Sequence, residues 1–195
     1  MNSTLAYYNE HAEQYIQDTA NVKFSDTQNC FFYKLKTGAC ILDFGCGSGR
    51  DTKYFMDKGF NVDAIDGSKE LCEKATKLIG TEVKCMLFGE LDEIQKYDGI
   101  WACSSILHLP KGELKIVLKK MIHALKDHGI IYTSFKYGNF EGERNGRHFT
   151  DFTEDKFAEF IADLSEVNIE EQWITGDVRP NRGDERWLNI ILRKQ

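Results

Sequence analysis

From residue 40 onward, short apolar runs alternate with stretches whose apolar residues recur at helical spacing. This alternation is typical of βαβ units arranged around a mostly parallel sheet. The pattern predicts strands at 40–44, 60–66, 82–88, 97–103 and 129–135, and helices at 50–59, 68–78 and 111–129. Ser68 is the expected N-cap of the second of these helices.

The two ends of the chain have different patterns. Residues 153–164 predict a helix capped by Thr153, and the segments 167–178 and 185–194 predict two closing strands. Their short linker favours an antiparallel hairpin at the sheet edge. Residues 1–36 predict amphipathic helices with Tyr8 and Tyr15 on one stripe, which we interpret as a lid over the sheet. The alternative is that these aromatic rings only dock a terminal helix onto the core.

The length and composition predict one domain. A chain of 195 residues with 42% hydrophobic residues can bury a single sizeable core. We therefore expect one domain over 1–195, comprising the helical lid (1–36), a ligand-binding sheet (40–135), and substrate-side loops with closing strands (136–195).

Charge and cysteine spacing narrow the expected partners. The formal net charge is −6, which disfavours nucleic-acid binding and favours a small-molecule partner. The six cysteines show no metal-type spacing, so we expect reduced thiols, no metal and a cytoplasmic location. The sequence suggests neither a leader nor a membrane span, and it gives no oligomeric state.

The most informative segment is ILDFGCGSGRDT, where three glycines follow a predicted strand. Glycine there permits positive φ and close approach of a ligand to the backbone. The third glycine, Gly49, comes one residue too early for the dinucleotide fingerprint. The pattern instead suits a zwitterionic ligand. Backbone amides of the turn would bind its carboxylate, and Asp43 would bind its ammonium group. Asp66, at the end of the next strand, is placed to accept the hydroxyls of a ribose.

Four segments in this order resemble class I S-adenosylmethionine-dependent methyltransferases: DFGCGSGRDT, VDAIDGS, YDGIWACSSILHLP and HGIIYTSFKYG. Small stand-alone bacterial enzymes of the tellurite-resistance or methyltransferase-domain type are the most similar in character. The resemblance implies a Rossmann-like, doubly wound, seven-stranded α/β sheet with an antiparallel last strand. It also implies S-adenosylmethionine as cofactor and S-adenosylhomocysteine as product.

The resemblance further implies a set of cofactor-binding residues. The glycine turn would receive the methionine part, Phe88 would border adenine, and the segment after the fourth strand would face the sulfonium. The full set is Asp43, Gly45, Cys46, Gly47, Gly49, Asp66, Phe88, Ala102 and Cys103, with Tyr8 and Tyr15 of the lid nearby. Many family members carry an acid after strand three that contacts adenine, whereas this chain has Leu87 and Phe88. A backbone group, Glu90 or packing against Phe88 could replace that contact.

The candidate catalytic residue is His108, in the segment ACSSILHLP after the fourth strand. An imidazole titrates near neutral pH and can act as an acid or base. The alternative is a structural histidine that forms hydrogen bonds at a helix start. The segment differs from the [DN]PP[YF] tetrapeptide, which disfavours methylation of nucleobase amino groups.

Basic residues are concentrated in 136–149 and 177–187, which suggests recognition of a carboxylate or another oxyanion. The competing interpretation is internal salt bridges with Glu141, Glu143, Asp184 and Glu185. The positive charge of Arg50 is unfavourable at the N-terminus of the helix that it begins, because the helix dipole is positive there. We therefore expect Arg50 to pair with a negative group, either an internal carboxylate or the ligand. Asp51 suits a solvent-facing position at that helix start. The substrate-side candidates are Arg50, Tyr137, Arg144, Arg147, His148 and Arg179.

The sequence therefore predicts methyl transfer to a small molecule, and the basic loops suggest that this molecule is anionic. The alternatives are a cofactor-binding module without turnover and a methyltransferase that acts on protein or RNA. A nicotinamide-dependent oxidoreductase is disfavoured by the early third glycine.

Overall fold

The computed structural model describes residues 3–179 and 182–195. The first two residues of the predicted lid, and residues 180 and 181 of the predicted substrate-side segment, lie outside the described residues. The strands are β1 (Cys40–Phe44), β2 (Asn61–Asp66), β3 (Lys84–Cys85), β4 (Tyr97–Ala102), β5 (Leu125–Lys136), β6 (Glu141–Arg144), β7 (Arg147–Thr150), β8 (Val167–Gly176) and β9 (Arg186–Lys194). The helices are α1 (Ser3–Glu10), α2 (Ala12–Thr19), α3 (Ser25–Phe32), α4 (Arg50–Asp57), α5 (Lys69–Ile79), α6 (Lys111–Ala124) and α7 (Glu154–Ile161).

The central sheet has seven strands in the order β3-β2-β1-β4-β5-β9-β8. Strands β1 to β5 pair in parallel, whereas β9 is antiparallel to both β5 and β8. The order reverses between β1 and β4, which opens a crevice at the carboxyl ends of these strands. The predicted α/β fold with a closing antiparallel hairpin is confirmed.

Both faces of the sheet are covered, as expected for parallel strands. Neighbouring residues in β1, Ile41 and Leu42, belong to opposite apolar clusters, as do Trp101 and Ala102 in β4. Side chains of successive strand residues point to opposite faces, so helices must bury each face. One cluster includes residues of α6 and α7, and the other includes residues of α3 and α4.

Several element boundaries differ from the sequence prediction. Helix α6 ends at Ala124 rather than near Gly129, because Leu125 pairs with Tyr97 and β5 begins there. Strand β3 has only two residues, and a short 3-10 turn, Phe88–Glu90, follows it. The Glu90 carboxylate accepts the backbone N–H of Leu87 at 2.7 Å and stabilises this turn. The N-terminal segment that carries the predicted apolar stripe forms two helices, α1 and α2, which are separated at His11.

The segment expected to be a loop, 136–149, instead contains the β6–β7 hairpin. Its turn residues, Asn145 and Gly146, have φ values of 50° and 75°. Two successive positive φ values are the requirement of a type I′ hairpin turn, and Asn-Gly is its preferred sequence. The Asn-Gly dipeptide was therefore the signal for this hairpin.

None of the helices in the two described ranges has the length and apolar character that crossing a bilayer would need.

Candidate active site

Two adjoining cavities lie at the carboxyl ends of β1, β2 and β4. Cavity I, of about 310 Å³, is lined by Thr4, Leu5, Tyr8, Tyr15, Gly45, Gly47, Asp66, Gly67, Leu71, Leu87, Phe88, Gly89, Glu90, Ser104, Ser105, His108, Leu109 and Glu113. Cavity II, of about 410 Å³, extends toward β5, the hairpin and the β8–β9 connection. Both cavities are lined by Tyr8, Tyr15, Gly45, Ser104 and His108, which we call the junction.

The glycine turn forms one wall of the junction, and close packing explains why glycine is required. A Cβ on Gly45 would lie 2.5 Å from the Cβ of Ser105, and one on Gly47 would lie 2.9 Å from Cε1 of Tyr15. Gly49 has a different role from the one predicted, because a Cβ there would meet Ile79 of α5 at 2.9 Å. Gly49 therefore permits the packing of α4 against α5 and does not line either cavity.

Four of the turn amides, those of Gly45, Cys46, Gly47 and Gly49, are occupied by the protein itself, contrary to the expectation that they wait for a ligand carboxylate. The N–H groups of Gly45 and Cys46 both donate to the carbonyl of Ile65, at 3.0 and 2.9 Å. Gly49 N–H donates to the Cys46 carbonyl at 2.9 Å. These bonds fix the turn against β2, so its shape is set before any ligand arrives.

Asp66 lies at the end of β2 and lines cavity I. Its Oδ2 accepts the Gly47 N–H at 2.9 Å, and its Oδ1 accepts the Ser68 N–H at 2.8 Å. Burial raises the pKa of this carboxyl, while the N–H groups of Ser68 and Gly47 act in the opposite direction. Each oxygen retains a further lone pair for a ligand donor.

His108 is buried at the junction, with both ring nitrogens engaged. Nδ1 lies 2.6 Å from the His148 carbonyl and Nε2 lies 2.8 Å from the hydroxyl of Tyr8. A carbonyl can only accept, so Nδ1 carries the proton and Nε2 accepts the Tyr8 hydroxyl. Burial, aided by the nearby Arg147 charge, lowers the pKa of His108 to about 4. The imidazole is therefore neutral near pH 7, with the Nε2 lone pair available to a proton, but it is a weaker base than a free histidine.

A buried carboxylate pair lies beneath the glycine turn. Asp43 accepts the Thr52 hydroxyl at 2.5 Å and does not line either cavity. Burial, followed by the like charge of Asp51, raises the pKa of Asp43 to about 8. Asp51 is buried as well, contrary to the solvent-facing expectation, and it accepts the indole N–H of Trp101 at 2.8 Å.

Three of the predicted substrate-side arginines are held by internal carboxylates. Arg50 donates through Nε and NH2 to Asp51, at 2.7 and 2.9 Å. Arg144 forms the same two-bond arrangement with Asp151, and Arg179 forms it with Asp177. Internal ion pairing thus accounts for these arginines, although the acids involved differ from the four named in the sequence interpretation.

The remaining candidates occupy different places. Phe88 lines cavity I, whereas Cys46, Cys103, Arg50, Tyr137, Arg144, Arg147 and Arg179 line cavity II. Ala102 is fully buried behind the junction. The His148 side chain lies outside both cavity walls, because its ring bonds to Thr150 and only its carbonyl reaches His108. His148 therefore positions the candidate catalytic residue instead of facing a substrate.

Sequence reasoning missed Asp151, Asp177 and Trp187, all of which line cavity II. The Trp187 indole N–H donates to Asp177 at 3.1 Å, and the Lys136 ammonium lies 4.1 Å from the Trp187 ring centroid. No sequence motif marks these residues: Asp151 pairs with Arg144 across the hairpin turn and Trp187 reaches Asp177 from the start of β9, although Asp177 lies only two positions from its other partner, Arg179.

Comparison with known proteins shows similarity to methyltransferases. A model described as a methyltransferase domain matches residues 41–129. An uncharacterised methyltransferase of Staphylococcus carnosus is 28% identical over 65% of this chain and 66% of that protein. N-terminal Xaa-Pro-Lys N-methyltransferase 1-A of Xenopus laevis is 37% identical over 49% of this chain and 47% of that protein. The matched segments thus span about half to two thirds of these relatives.

A solved structure shows the same fold over almost the whole chain. It is the 1,6-didemethyltoxoflavin-N1-methyltransferase of Burkholderia thailandensis, with 1,6-didemethyltoxoflavin and S-adenosylhomocysteine bound. It aligns with a TM-score of 0.78 at 21% identity, covering 98% of this chain and 85% of that chain. The tellurite-resistance subtype is not addressed by these matches and stays a prediction. The chain thus has the fold of a solved S-adenosylhomocysteine-bound methyltransferase, and its residues 41–129 match a methyltransferase domain.

Proposed function

We propose that the protein transfers a methyl group from S-adenosylmethionine to a small-molecule acceptor that carries negative charge. The observation that supports this most directly is the meeting of two cavities at a junction formed by Tyr8, Tyr15, Gly45, Ser104 and His108. The cofactor has a nucleoside at one end, an amino acid at the other and the sulfonium between them. One cavity can hold the nucleoside, and the other the amino acid and the acceptor.

Cavity I fits an adenosine group. Asp66 has free lone pairs for the two ribose hydroxyls, and the side chains of Leu5, Leu71, Leu87 and Phe88 offer an apolar surface for adenine. Glu90 is already engaged by the Leu87 backbone. We therefore assign adenine to packing against Phe88 and Leu87 rather than to an acidic contact.

The methionine end would lie beside Cys46 and Cys103, on the wall where cavity II meets the turn. Because the amides of Gly45, Cys46 and Gly49 are occupied, Arg50 is the better candidate for the carboxylate. Its Nε and NH2 hold Asp51, which leaves NH1 for a ligand. Asp43, below the turn, lines neither cavity, and its pKa of about 8 leaves it mostly protonated near pH 7, so we assign it no contact with the ammonium.

When bound, S-adenosylmethionine supplies an electrophilic methyl group on a sulfonium. The protein contributes mainly alignment of the acceptor and exclusion of water, since the reaction is an in-line displacement. An acceptor that arrives protonated must also lose a proton. The neutral His108 imidazole and the Tyr8 hydroxyl form a hydrogen-bonded pair at the junction that can receive it.

The three parts of the chain then have distinct roles within one domain. Residues 1–36 cover the junction and contribute Tyr8 and Tyr15. Residues 40–135 hold the cofactor, and 136–195 surround the acceptor. A protein acceptor is the second candidate, because relatives named as N-terminal Xaa-Pro-Lys N-methyltransferases match about half of the chain.

Titration calorimetry with S-adenosylhomocysteine, with NADH as the control, tests the cofactor assignment. We expect one-site binding of S-adenosylhomocysteine and none of NADH. Absence of binding to folded protein freed of co-purified ligand would refute the proposed function. Binding without methyl transfer to any member of a broad acceptor panel would favour a module without turnover.

A further inference from the structure

Arg147 differs from the other arginines described above. Its only side-chain hydrogen bond among the described residues runs from NH1 to the Tyr8 hydroxyl, at 3.4 Å. Within residues 3–179 and 182–195 it forms no ion pair, and its Nε is buried without a hydrogen-bond partner. Arg50, Arg144 and Arg179 each hold a carboxylate with two bonds, so Arg147 alone of these four has its guanidinium fork available.

The surroundings of Arg147 hold the guanidinium in place without neutralising it. Its Cζ lies 4.3 Å from the ring centroid of Tyr7, 5.2 Å from that of Phe149 and 5.7 Å from that of Tyr8. Aromatic faces attract a cation but offer no acceptor in the plane of its N–H groups. A half-buried guanidinium with an unsatisfied donor is costly, and a planar carboxylate is the partner that matches its geometry.

The position of Arg147 connects such a partner to the junction. Arg147 lines cavity II, and its NH1 contacts the hydroxyl that His108 also bonds. A small molecule whose anionic group binds the Arg147 guanidinium would therefore also be able to contact the Tyr8 hydroxyl. Arg179, by contrast, is held by Asp177 at the β8–β9 connection.

We propose that the acceptor carries a carboxylate that pairs with Arg147, and that Tyr8, backed by His108, takes the proton from the acceptor's nucleophilic O–H or N–H group. This inference rests on the proposed function and deepens it, because it names the acceptor class and the residue that selects it. It also assigns contact with the acceptor to Tyr8. His108 then positions Tyr8 and holds the proton that Tyr8 passes on.

The reaction balances as follows. The acceptor's proton passes to Tyr8 Oη while the Tyr8 proton passes to His108 Nε2. The bond from sulfur to the methyl carbon breaks with its electron pair left on sulfur, and a lone pair of the acceptor forms the new bond to carbon. The positive charge of the sulfonium is thus replaced by that of an imidazolium, which later returns its proton to water.

The bound carboxylate would also assist the proton transfer. Two groups disfavour charge on His108 besides its burial: Arg147 and His148, both on β7. Tyr8 on α1 faces it through the hydrogen bond, and Glu113 of α6 lines the same cavity. Neutralising Arg147 with a ligand carboxylate removes one of the repulsive charges, so His108 becomes more basic when the correct acceptor is present.

The test uses the Arg147 Nε–H resonance in protein saturated with S-adenosylhomocysteine. The resonance is assigned by its loss in Arg147→Lys, and it is followed during titration with benzoate and, separately, with benzamide. We expect benzoate to shift it saturably and benzamide to leave it unchanged. No shift with benzoate, or equal shifts with both probes, would overturn the proposal.

Two variants distinguish pairing of benzoate with Arg147 from a nonspecific response to positive charge on the protein. Arg147→Met should abolish the benzoate response of the Tyr8 and His108 ring signals, whereas Lys156→Met, an exposed charge on α7, should leave it intact. A response that survives in Arg147→Met would assign the anion to another residue. Because S-adenosylhomocysteine saturation is established first by calorimetry, failure of the carboxylate proposal is distinguishable from failure of the proposed function.

Discussion

The phenol oxygen of Tyr8 lies 2.8 Å from Nε2 of His108, although 100 positions separate the two residues in the chain. The hydrogen bond joins α1 to the segment after β4. On its other side, His108 is anchored to the hairpin through the His148 carbonyl. The N-terminal helix, the sheet and the hairpin therefore meet at one imidazole.

Replacing Tyr8 by Phe should lower both stability and turnover. The change leaves the buried Nε2 of His108 without its donor, at a cost of roughly 1–3 kcal/mol in the free energy of unfolding. Loss of the proton acceptor should reduce kcat by about 10²- to 10⁴-fold for a protonated acceptor. Urea denaturation and labelled S-adenosylmethionine measure the two effects. Tyr33→Phe, at an exposed site, is the control, and equal turnover in both variants would remove Tyr8 from the chemistry.

Replacing Asp66 by Ala should weaken S-adenosylhomocysteine binding by roughly 1–3 kcal/mol, or about 5- to 150-fold in Kd, because charge-assisted bonds to the ribose are lost. Calorimetry measures this directly. Asp63→Ala is the matched control from the same strand, since Asp63 pairs with Lys96 at 2.7 Å away from both cavities. Unchanged affinity in Asp66→Ala would refute the ribose assignment.

Asp43 should make the protein without cofactor less stable as pH rises. Its pKa is raised to about 8 in the folded state, mainly by burial, and is about 3.9 in an unfolded chain. The folded state therefore binds the proton more tightly, so this contribution is fully present below pH 3.9 and is lost as pH rises through 8. The slope is at most about 1.4 kcal/mol per pH unit.

Asp43→Asn should remove this slope between pH 6 and 8, because the amide cannot ionise. Urea denaturation at several pH values tests it. Identical slopes for the parent and Asp43→Asn would show that Asp43 is already ionised in the folded protein.

Replacing Gly47 by Ala should displace Tyr15 from the junction. The new Cβ would lie 2.9 Å from Cε1 of Tyr15, in a backbone with φ of 55°. Gly59→Ala is a matched control, since Gly59 has φ of 86° and nothing within 4 Å of a Cβ. Both variants should lose roughly 1–2 kcal/mol of stability to backbone strain. Only Gly47→Ala should weaken S-adenosylhomocysteine binding, by about tenfold or more; equal affinities would contradict this.

Replacing Asp51 by Asn should destabilise the fold strongly. Asp51 is buried and accepts bonds from Arg50, Gln28 at 2.7 Å and Trp101 at 2.8 Å. Losing its charge leaves Arg50 without a counterion, at a cost of about 3–5 kcal/mol. Asp57→Asn breaks an exposed pair with Lys53 and should cost at most about 1 kcal/mol. Similar denaturation midpoints for the two variants would refute this difference.

Short-range patterns predicted much of the fold. The strand before the glycine turn, Asp66 at the end of β2 and the Ser68 cap depend on residues close in sequence. The structure has Cys40–Phe44 as β1, and the Ser68 hydroxyl accepts the Leu71 N–H at 3.2 Å. Local propensity and apolar periodicity encode such features, and the tertiary structure agrees with them here.

Long-range pairing could not be predicted in the same way. The Asp51–Trp101 bond spans 50 positions, and the Tyr8–His108 bond spans 100. The early end of α6 has the same cause, since sheet pairing with Tyr97 competes with helix propensity at Leu125. These features depend on which distant elements pair and in what register. Local patterns in a single sequence do not predict that pairing.

The β6–β7 hairpin and α1 lie outside the seven-stranded sheet, yet they carry Arg147 and Tyr8. Neither segment shares a strand register with the glycine turn or with Asp66. In evolutionary terms, descendants of one ancestral enzyme could acquire new acceptors by exchanging these two short peripheral segments. Exchange of the hairpin would leave the nucleoside cavity unaltered, because no hairpin residue lines cavity I, whereas exchange of α1 would also replace Leu5 of that cavity.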